Sequence, residues 1–203
     1  MDWIVLYDWL LAVVRWAHVI AAMGWIGASF YFIALDLGLN RGPHNPEGVA
    51  GDEWQVHGGG FYHVRKYQVA PSAMPEHLTW FKWDSYATWL SGFGLLAIMY
   101  YLGADLYLLD PRVADLAAWQ GALISMASLA LGWLVYDSLC RWQQDGNNNV
   151  LMVGLFLVLV IMAWGYTQVF TGRAALLPLG AFTASIMTGN VFFVIMPNQR
   201  IST

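Results

Sequence analysis

The sequence predicts an all-α integral membrane protein built as a bundle of five transmembrane helices. Three observations predict it. Of the 203 residues 59% are hydrophobic and only 11% are charged, whereas an average soluble domain carries about 25% charged residues. Five apolar stretches each exceed the roughly 20 residues needed to cross the hydrocarbon of a bilayer. The breaks between them are short and rich in Gly, Pro, Asp and Asn, apart from one segment of about 40 residues after the first stretch. In lipid, backbone amides must be paired within the segment, which leaves helix as the conformation for such runs.

The first helix is expected over about 9–39. It follows the acidic residues Asp2 and Asp8 and continues apolar past Phe32. A signal peptide has a basic start and a shorter apolar core, so this is read as a retained membrane helix. "NRGPHNPEG" closes it with glycine and two prolines. The second helix is expected over about 80–104, the third over 116–142, the fourth over 150–171 and the fifth over 176–196. "LLDPRVAD", "QQDGNNN" and "TGRAALLP" supply the turns between them. No repeat or low-complexity tract divides the chain, so residues 1–203 read as one transmembrane helical domain with an interfacial loop at 41–79.

Lysine and arginine placement sets the orientation. With the N-terminus outside, the cytoplasmic segments hold Arg41, Arg65, Lys66, Lys82, Arg141 and Arg200, and the external ones hold Arg112 and Arg173. This is the positive-inside bias. It puts the 41–79 loop in the cytoplasm and implies a multi-pass protein of the bacterial inner membrane.

Composition also excludes function classes. A formal net charge of −4 argues against nucleic acid as a partner. Cys140 is the only cysteine, so an internal disulfide, a thiolate zinc site and a c-type haem are all ruled out. The 12 tryptophans and 10 tyrosines suit the headgroup level, or stacking on a pigment or cofactor. A transporter is disfavoured, because there is no inverted repeat and no pair of broken helices.

Arg15 and His18 are three apart on the first helix and so share a face. Ionisable groups at membrane depth are costly and point into the bundle. At 1.5 Å per residue, His18 lies roughly 15 Å below the outer surface. Ser125 is expected at about that depth, Ser91 and Asn190 deeper, and Gln168 shallower, near Arg15. Two readings stay open for His18. It binds a b-type haem or polarises a quinone, with Arg15 beside it, or it is a buried histidine satisfied by hydroxyls and carbonyls. There is no second histidine in the membrane-spanning stretches, which excludes a bis-histidine haem built from the helices alone. The Gly24–Gly27 spacing offers a notch for close helix approach.

The loop segment "WQVHGGGFYHVRKY" is rich in chemistry. His57, His63 and His77 are candidate catalytic residues together with Asp84, and the same three histidines are candidate metal ligands, with Glu53 and Glu76 near. The six-residue spacing of His57 and His63 matches no compact metal motif. The triple glycine permits backbone geometry closed to other residues. "FYHVRKY" is expected as a short amphipathic helix at the interface, with Arg65 and Lys66 toward lipid phosphates. His44 reads as exposed turn, and Pro75 as a helix start. A polar cluster of Asp84, Asp137, Arg141 and the loop histidines is the alternative to an ordinary salt-bridge network, with Lys82 or Arg65 as further partners for Asp84.

Taken together, "RWAHVIAAMGWIGASFYFIALD", "WQVHGGGFYHVRKY", "PEHLTWFKWDSYATWLSGF" and "IMPNQR" resemble the urate oxidase N-terminal domain family, the membrane domain of bacterial membrane-bound urate hydroxylase. The resemblance runs from the first helix to the last residues. The Arg-Trp-x-His pattern with Trp-x-Gly is also similar to copper-resistance membrane proteins and a haem-linked protoporphyrinogen oxidase. The family resemblance implies oxidation of urate to 5-hydroxyisourate, with electrons passing to a C-terminal cytochrome c domain that follows further helices. This sequence has neither those helices nor a Cys-x-x-Cys-His.

Two functions are therefore weighed. One is a redox subunit handling haem or quinone electrons and delivering them to a separate cytochrome. The other is a non-catalytic accessory subunit of a photosynthetic or respiratory complex. It would pack against lipids, neighbouring helices and, in a photosynthetic complex, carotenoid or chlorophyll.

Overall fold

The computed structural model describes residues 3–71, 73–143 and 148–202. It is mostly helical. In chain order it has α1 (Trp3–Gly38), a two-stranded hairpin of β1 (Val49–His57) and β2 (Gly60–Tyr67), α2 (Trp83–Leu96), a π-helical turn (Ala97–Tyr101), and the short α3 (Ala104–Tyr107). Then come α4 (Ala118–Trp142), α5 (Asn148–Val169), α6 (Arg173–Asn190), a second π-helical turn (Val191–Ile195) and α7 (Met196–Ser202). Four helical runs are long and apolar enough to cross a membrane: Trp3–Gly38, Ala118–Trp142, Asn148–Val169 and Arg173–Ile201. The expected second span takes a different form. α2 passes into a π-helical turn and stops before Gly103, and α3 follows as a separate piece.

α6 is the hub of the packing. It lies against α2, α4 and α5, whereas α1 packs chiefly on α2. The core is formed where these elements meet, around Phe182, Phe170, Leu108, Tyr166 and Ala174. Hydroxyls at this depth are satisfied by one another. Tyr101 and Ser125 share a hydrogen bond of 3.0 Å, and Ser128 and Tyr166 one of 2.5 Å. Ser128 also lies 2.6 Å from the Ser125 carbonyl. These pairings agree with the rule that buried polar groups find partners, most strictly in lipid.

Outside that core the protein leaves its apolar residues uncovered. The exposed area is 14033 Å² for 22.7 kDa, against about 9,500 Å² expected of a soluble monomer of that mass. Trp9, Trp16, Met23 and Phe30 of α1 all face outward. This is the surface of a chain whose solvent is hydrocarbon or another subunit.

Close helix approach occurs at other glycines than expected. Gly24 and Gly27 have nothing near them. A Cβ on Gly132 of α4 would instead collide with the Phe182 ring of α6, and one on Gly189 would collide with Trp133.

The 41–79 segment corrects a second expectation. Residues 61–67 lie in β2 and form no amphipathic helix. Gly58 and Gly59 both have positive φ, 57° and 79°, as the two central residues of a type I′ hairpin turn require. Gly60 opens β2 opposite His57. Residues 73–82 have no regular helix, so Pro75 does not start one; α2 begins at Trp83. Of the remaining expected turns, Asp110 caps its own turn by accepting the Arg112 N–H at 2.9 Å, and Gly172, with φ 50°, precedes α6. Most of "QQDGNNN" lies outside the described residues.

Because Phe182 is buried and rigid, Gly132→Ala is expected to cost about 1–3 kcal/mol through overpacking. The check is a lower thermal midpoint in detergent, with Gly24→Ala unchanged as the control.

Candidate functional site

The His18 ring of α1 comes close against α2 because residue 92 is glycine; a Cβ there would sit 2.8 Å from the imidazole Cε1. Nδ1 is 3.1 Å from the Thr88 carbonyl and 3.1 Å from Ser91 Oγ. The Ser91 hydroxyl donates to the Ala87 carbonyl at 2.6 Å, so toward His18 it can only accept. Two acceptors at Nδ1 place the ring proton there. Nε2 of the neutral ring then carries a lone pair, and among the described residues it makes no hydrogen bond. The anchored ring is the tautomer and orientation of a metal-ligating histidine, whose other nitrogen donates to a carbonyl. Ser125, expected at the depth of His18, is engaged with Tyr101 instead.

His18 lines a cavity of about 620 Å³ between α1, α2 and α6, within the roughly 300–1,000 Å³ range of cofactor pockets. One wall is a stacked pair, Trp89 and Phe93, with ring centroids 5.1 Å apart and planes 10° apart. Trp89 Nε1 donates to Ser185 Oγ at 2.8 Å, which fixes that wall to α6. Arg15 and Arg173 also line the cavity. Arg15 Nη2 has only the Met99 sulfur at 3.7 Å, and Arg173 lies over the Tyr107 ring at 5.8 Å. Neither has a carboxylate partner among the described residues. The cavity therefore offers one imidazole whose Nε2 is unpaired among the described residues and two guanidiniums without a carboxylate partner, within mainly apolar walls. That set fits a haem b, whose iron takes an imidazole and whose propionates take arginine. It also fits a quinol, which donates a hydroxyl proton to Nε2.

The loop histidines are elsewhere. In the hairpin register Trp54 faces His63 and His57 faces Gly60, so the alternation of the strand puts His57 and His63 on opposite faces. His63 Nε2 meets Asp52 Oδ2 at 2.6 Å, and His44 Nε2 meets Asp52 Oδ1 at 3.3 Å. The His63 ring is stacked on Trp54 at 4.3 Å. His57 and His77 are exposed and do not join them. Among the described residues no group of three or more His, Cys, Asp or Glu is placed to hold a metal ion. Asp137 pairs with Arg141 at 2.8 Å one turn away on α4. No ion pair joins Asp84 to Lys82, Arg65 or the loop histidines among the described residues.

The hairpin is fastened to the last turns of α1. Lys66 Nζ bridges to Asp36 at 2.7 Å, the Tyr31 hydroxyl donates to Gln55 at 2.7 Å, and Asn40 pairs with Asp52 through the backbone.

The family described as urate oxidase N-terminal matches residues 4–202. The chain belongs to this family. No curated protein and no solved structure matches it. In this urate oxidase N-terminal family member, the candidates His18 and Arg15 line one cavity with Thr88, Gly92 and Arg173, which do not stand out as site residues in the sequence. "ATWLSGF" does carry a signal, a small residue one helical turn after a threonine, whereas Arg173 reads from sequence only as a loop charge.

The hydrogen bond from His63, reinforced by His44, holds the Asp52 carboxyl below the usual carboxylate range. A carboxyl lowered by folding stabilises the hairpin above its unfolded value and loses that contribution as pH falls through the folded one. Amide hydrogen exchange in the hairpin, corrected for the intrinsic rate at each pH, is thus expected to stay slow from neutral pH to about pH 4 and quicken below. In Asp52→Asn it is expected to be faster already at pH 7, without the acid transition.

Proposed function

We propose that this protein is a membrane-embedded redox protein related to urate hydroxylase, with the His18 cavity as its cofactor site. The observation that carries the reading is the imidazole itself. Its Nδ1 proton is committed to the Thr88 carbonyl, and its free Nε2 belongs to a cavity that also holds two unpaired guanidiniums. In this reading His18 supplies the axial nitrogen to a b-type haem, or accepts the hydroxyl proton of a quinol, and Arg15 and Arg173 meet anionic groups at the cavity's end. A bound haem or quinol supplies electron transfer. The chain's own residues bind and orient the group, and the Trp89–Phe93 wall and the leucines around it exclude water. A separate cytochrome or another membrane subunit receives the electrons.

The same proposal carries a topology: five spans in the bacterial inner membrane, N-terminus outside, with the hairpin at the cytoplasmic interface. α1 supports it. Its 36 residues make about 54 Å, well beyond a hydrocarbon layer of about 30 Å, so one end stands clear of the acyl chains. The hairpin is fastened to the C-terminal end and runs back along it, so its tip points toward the bilayer. The tip carries Trp54, Val56 and Phe61, 68%, 67% and 78% exposed, while the charged pairs lie at its base. Trp and Phe at this level are interface anchors.

The accessory reading is favoured by a different observation: α1 packs chiefly on α2, and its outward aromatic side suits a neighbouring subunit, a carotenoid or a chlorophyll.

Two measurements decide. The purified chain in mild detergent is expected to show a Soret band or to release a quinone on extraction. His18→Ala should lose or shift that signal with helix content unchanged, and Arg15→Gln with Arg173→Gln should lower occupancy several-fold. A colourless, quinone-free protein that co-purifies with other subunits would replace this reading with the accessory one. For the topology, spin labels at Phe61→Cys and Glu47→Cys in a Cys140→Ser background should divide in nanodiscs. The first is expected to be relaxed by oxygen, the second by a water-soluble nickel complex.

A further inference from the structure

We infer that a second cavity, on the other side of the Trp89–Phe93 wall, binds a neutral planar lipophile bearing a carbonyl, of the quinone class. It measures about 720 Å³ and lies between α2, α4 and the end of α6 with its π-helical turn. Trp89, Phe93, Leu129 and Ser185 line this cavity and the His18 cavity alike. The two spaces are therefore separated by one aromatic layer.

Three features define the occupant. The first is shape: Trp133, Phe192 and Phe193 join Trp89 and Phe93 around the space, and aromatic plates of this kind take a flat ring. The second is charge. Among the described residues no Asp, Glu, Lys, Arg or His lines the cavity, so it is built for a neutral molecule; this sets it apart from the His18 cavity with its two arginines and excludes a haem with free propionates or an anionic purine.

The third is hydrogen bonding. Trp133 Nε1 and Thr188 Oγ1 are both buried and have no partner among the described residues. Both residues line this cavity, and Trp133 rests on Gly189, the residue after Thr188, where no Cβ could be accommodated. An indole N–H can only donate and a hydroxyl can donate as well. Two unpaired donors in an otherwise apolar site in lipid call for an acceptor from the ligand, since buried polar groups are seldom left unmade. A flat neutral ring with a carbonyl oxygen meets all three conditions, and the bilayer is its reservoir. Carotenoid hydrocarbon offers no acceptor.

This inference deepens the redox reading by giving it a second ligand beside the first, but the binding does not depend on the His18 cavity being filled. The test uses the full chain in nanodiscs of quinone-free lipid, titrated with the short-chain quinone ubiquinone-1 and followed by equilibrium binding. Saturable binding is expected, with this cavity supplying one site per chain. Thr188→Val, which keeps the shape of the side chain, and Trp133→Phe are each expected to weaken it about tenfold, as loss of one buried hydrogen bond does. His18→Ala is expected to leave it unchanged.

Absence of saturable binding would overturn the inference. So would affinity indifferent to both Thr188→Val and Trp133→Phe. Binding lost in His18→Ala but kept in Thr188→Val would place the quinone in the first cavity and would also overturn it. A protein that binds ubiquinone-1 in this pattern yet shows neither a Soret band nor a histidine-dependent quinone upholds the second site while refuting the first.

Discussion

The contact between His18 and the Thr88–Gly92 turn of α2 is the constraint on which the rest depends. α1 packs chiefly on α2, and in hydrocarbon there is no hydrophobic force to hold two apolar helices together. What remains is close packing and the hydrogen bonds that a polar side chain must make. Gly92 removes the obstacle, and the Thr88 carbonyl receives the proton. The same contact that seats α1 therefore fixes the imidazole tautomer. It leaves the other nitrogen facing a space that no side chain among the described residues fills with a hydrogen-bond partner.

From that joint the molecule divides in two along its length. Toward the N-terminal end of α1 lies a cavity with arginines and an imidazole. Beyond the Trp89–Phe93 stack lies one with only aromatic, aliphatic and hydroxyl groups. The Trp89–Ser185 hydrogen bond anchors that stack to the central helix, so the partition is part of the packing core. Both cavities are bordered by helix that departs from α geometry, at residues 97–101 and 191–195. A π-helical turn shifts the following side chains and recurs at functional sites. Here Met99 and Tyr100 are turned to the first cavity, and Phe192 and Phe193 to the second.

The hairpin is a separate solution to a separate problem. A chain leaving a long helix must return to the membrane, and its backbone amides must be paired on the way. Two strands closed by Gly58-Gly59 do this locally. Asp36–Lys66 and Tyr31–Gln55 then hold the strands to the helix they follow. The histidines that stand out in the sequence serve this arrangement: His63 and His44 share one carboxylate, and His57 occupies the strand end.

Much of this was written in the sequence, because it depends on solvent. The apolar runs and the scarcity of charge pointed to a membrane protein, and the position of four long helices followed within a few residues. The interest of His18 was legible too, since an ionisable group in an apolar run is costly wherever it points. The hairpin was legible in principle: a Gly-Gly pair between aromatic and β-branched residues is a turn signal, obscured here by the third glycine and the basic pair. What the sequence could not decide was which groups meet. Glycines 92, 132 and 189 look like Gly24 and Gly27 on paper, and only three-dimensional packing chose the first three as contact points. Likewise Arg173 joined Arg15, and Trp133 was left beside Thr188 without an acceptor, through helix rotations set by close packing. That packing is a property of all the helices at once, and no local pattern of residues encodes it.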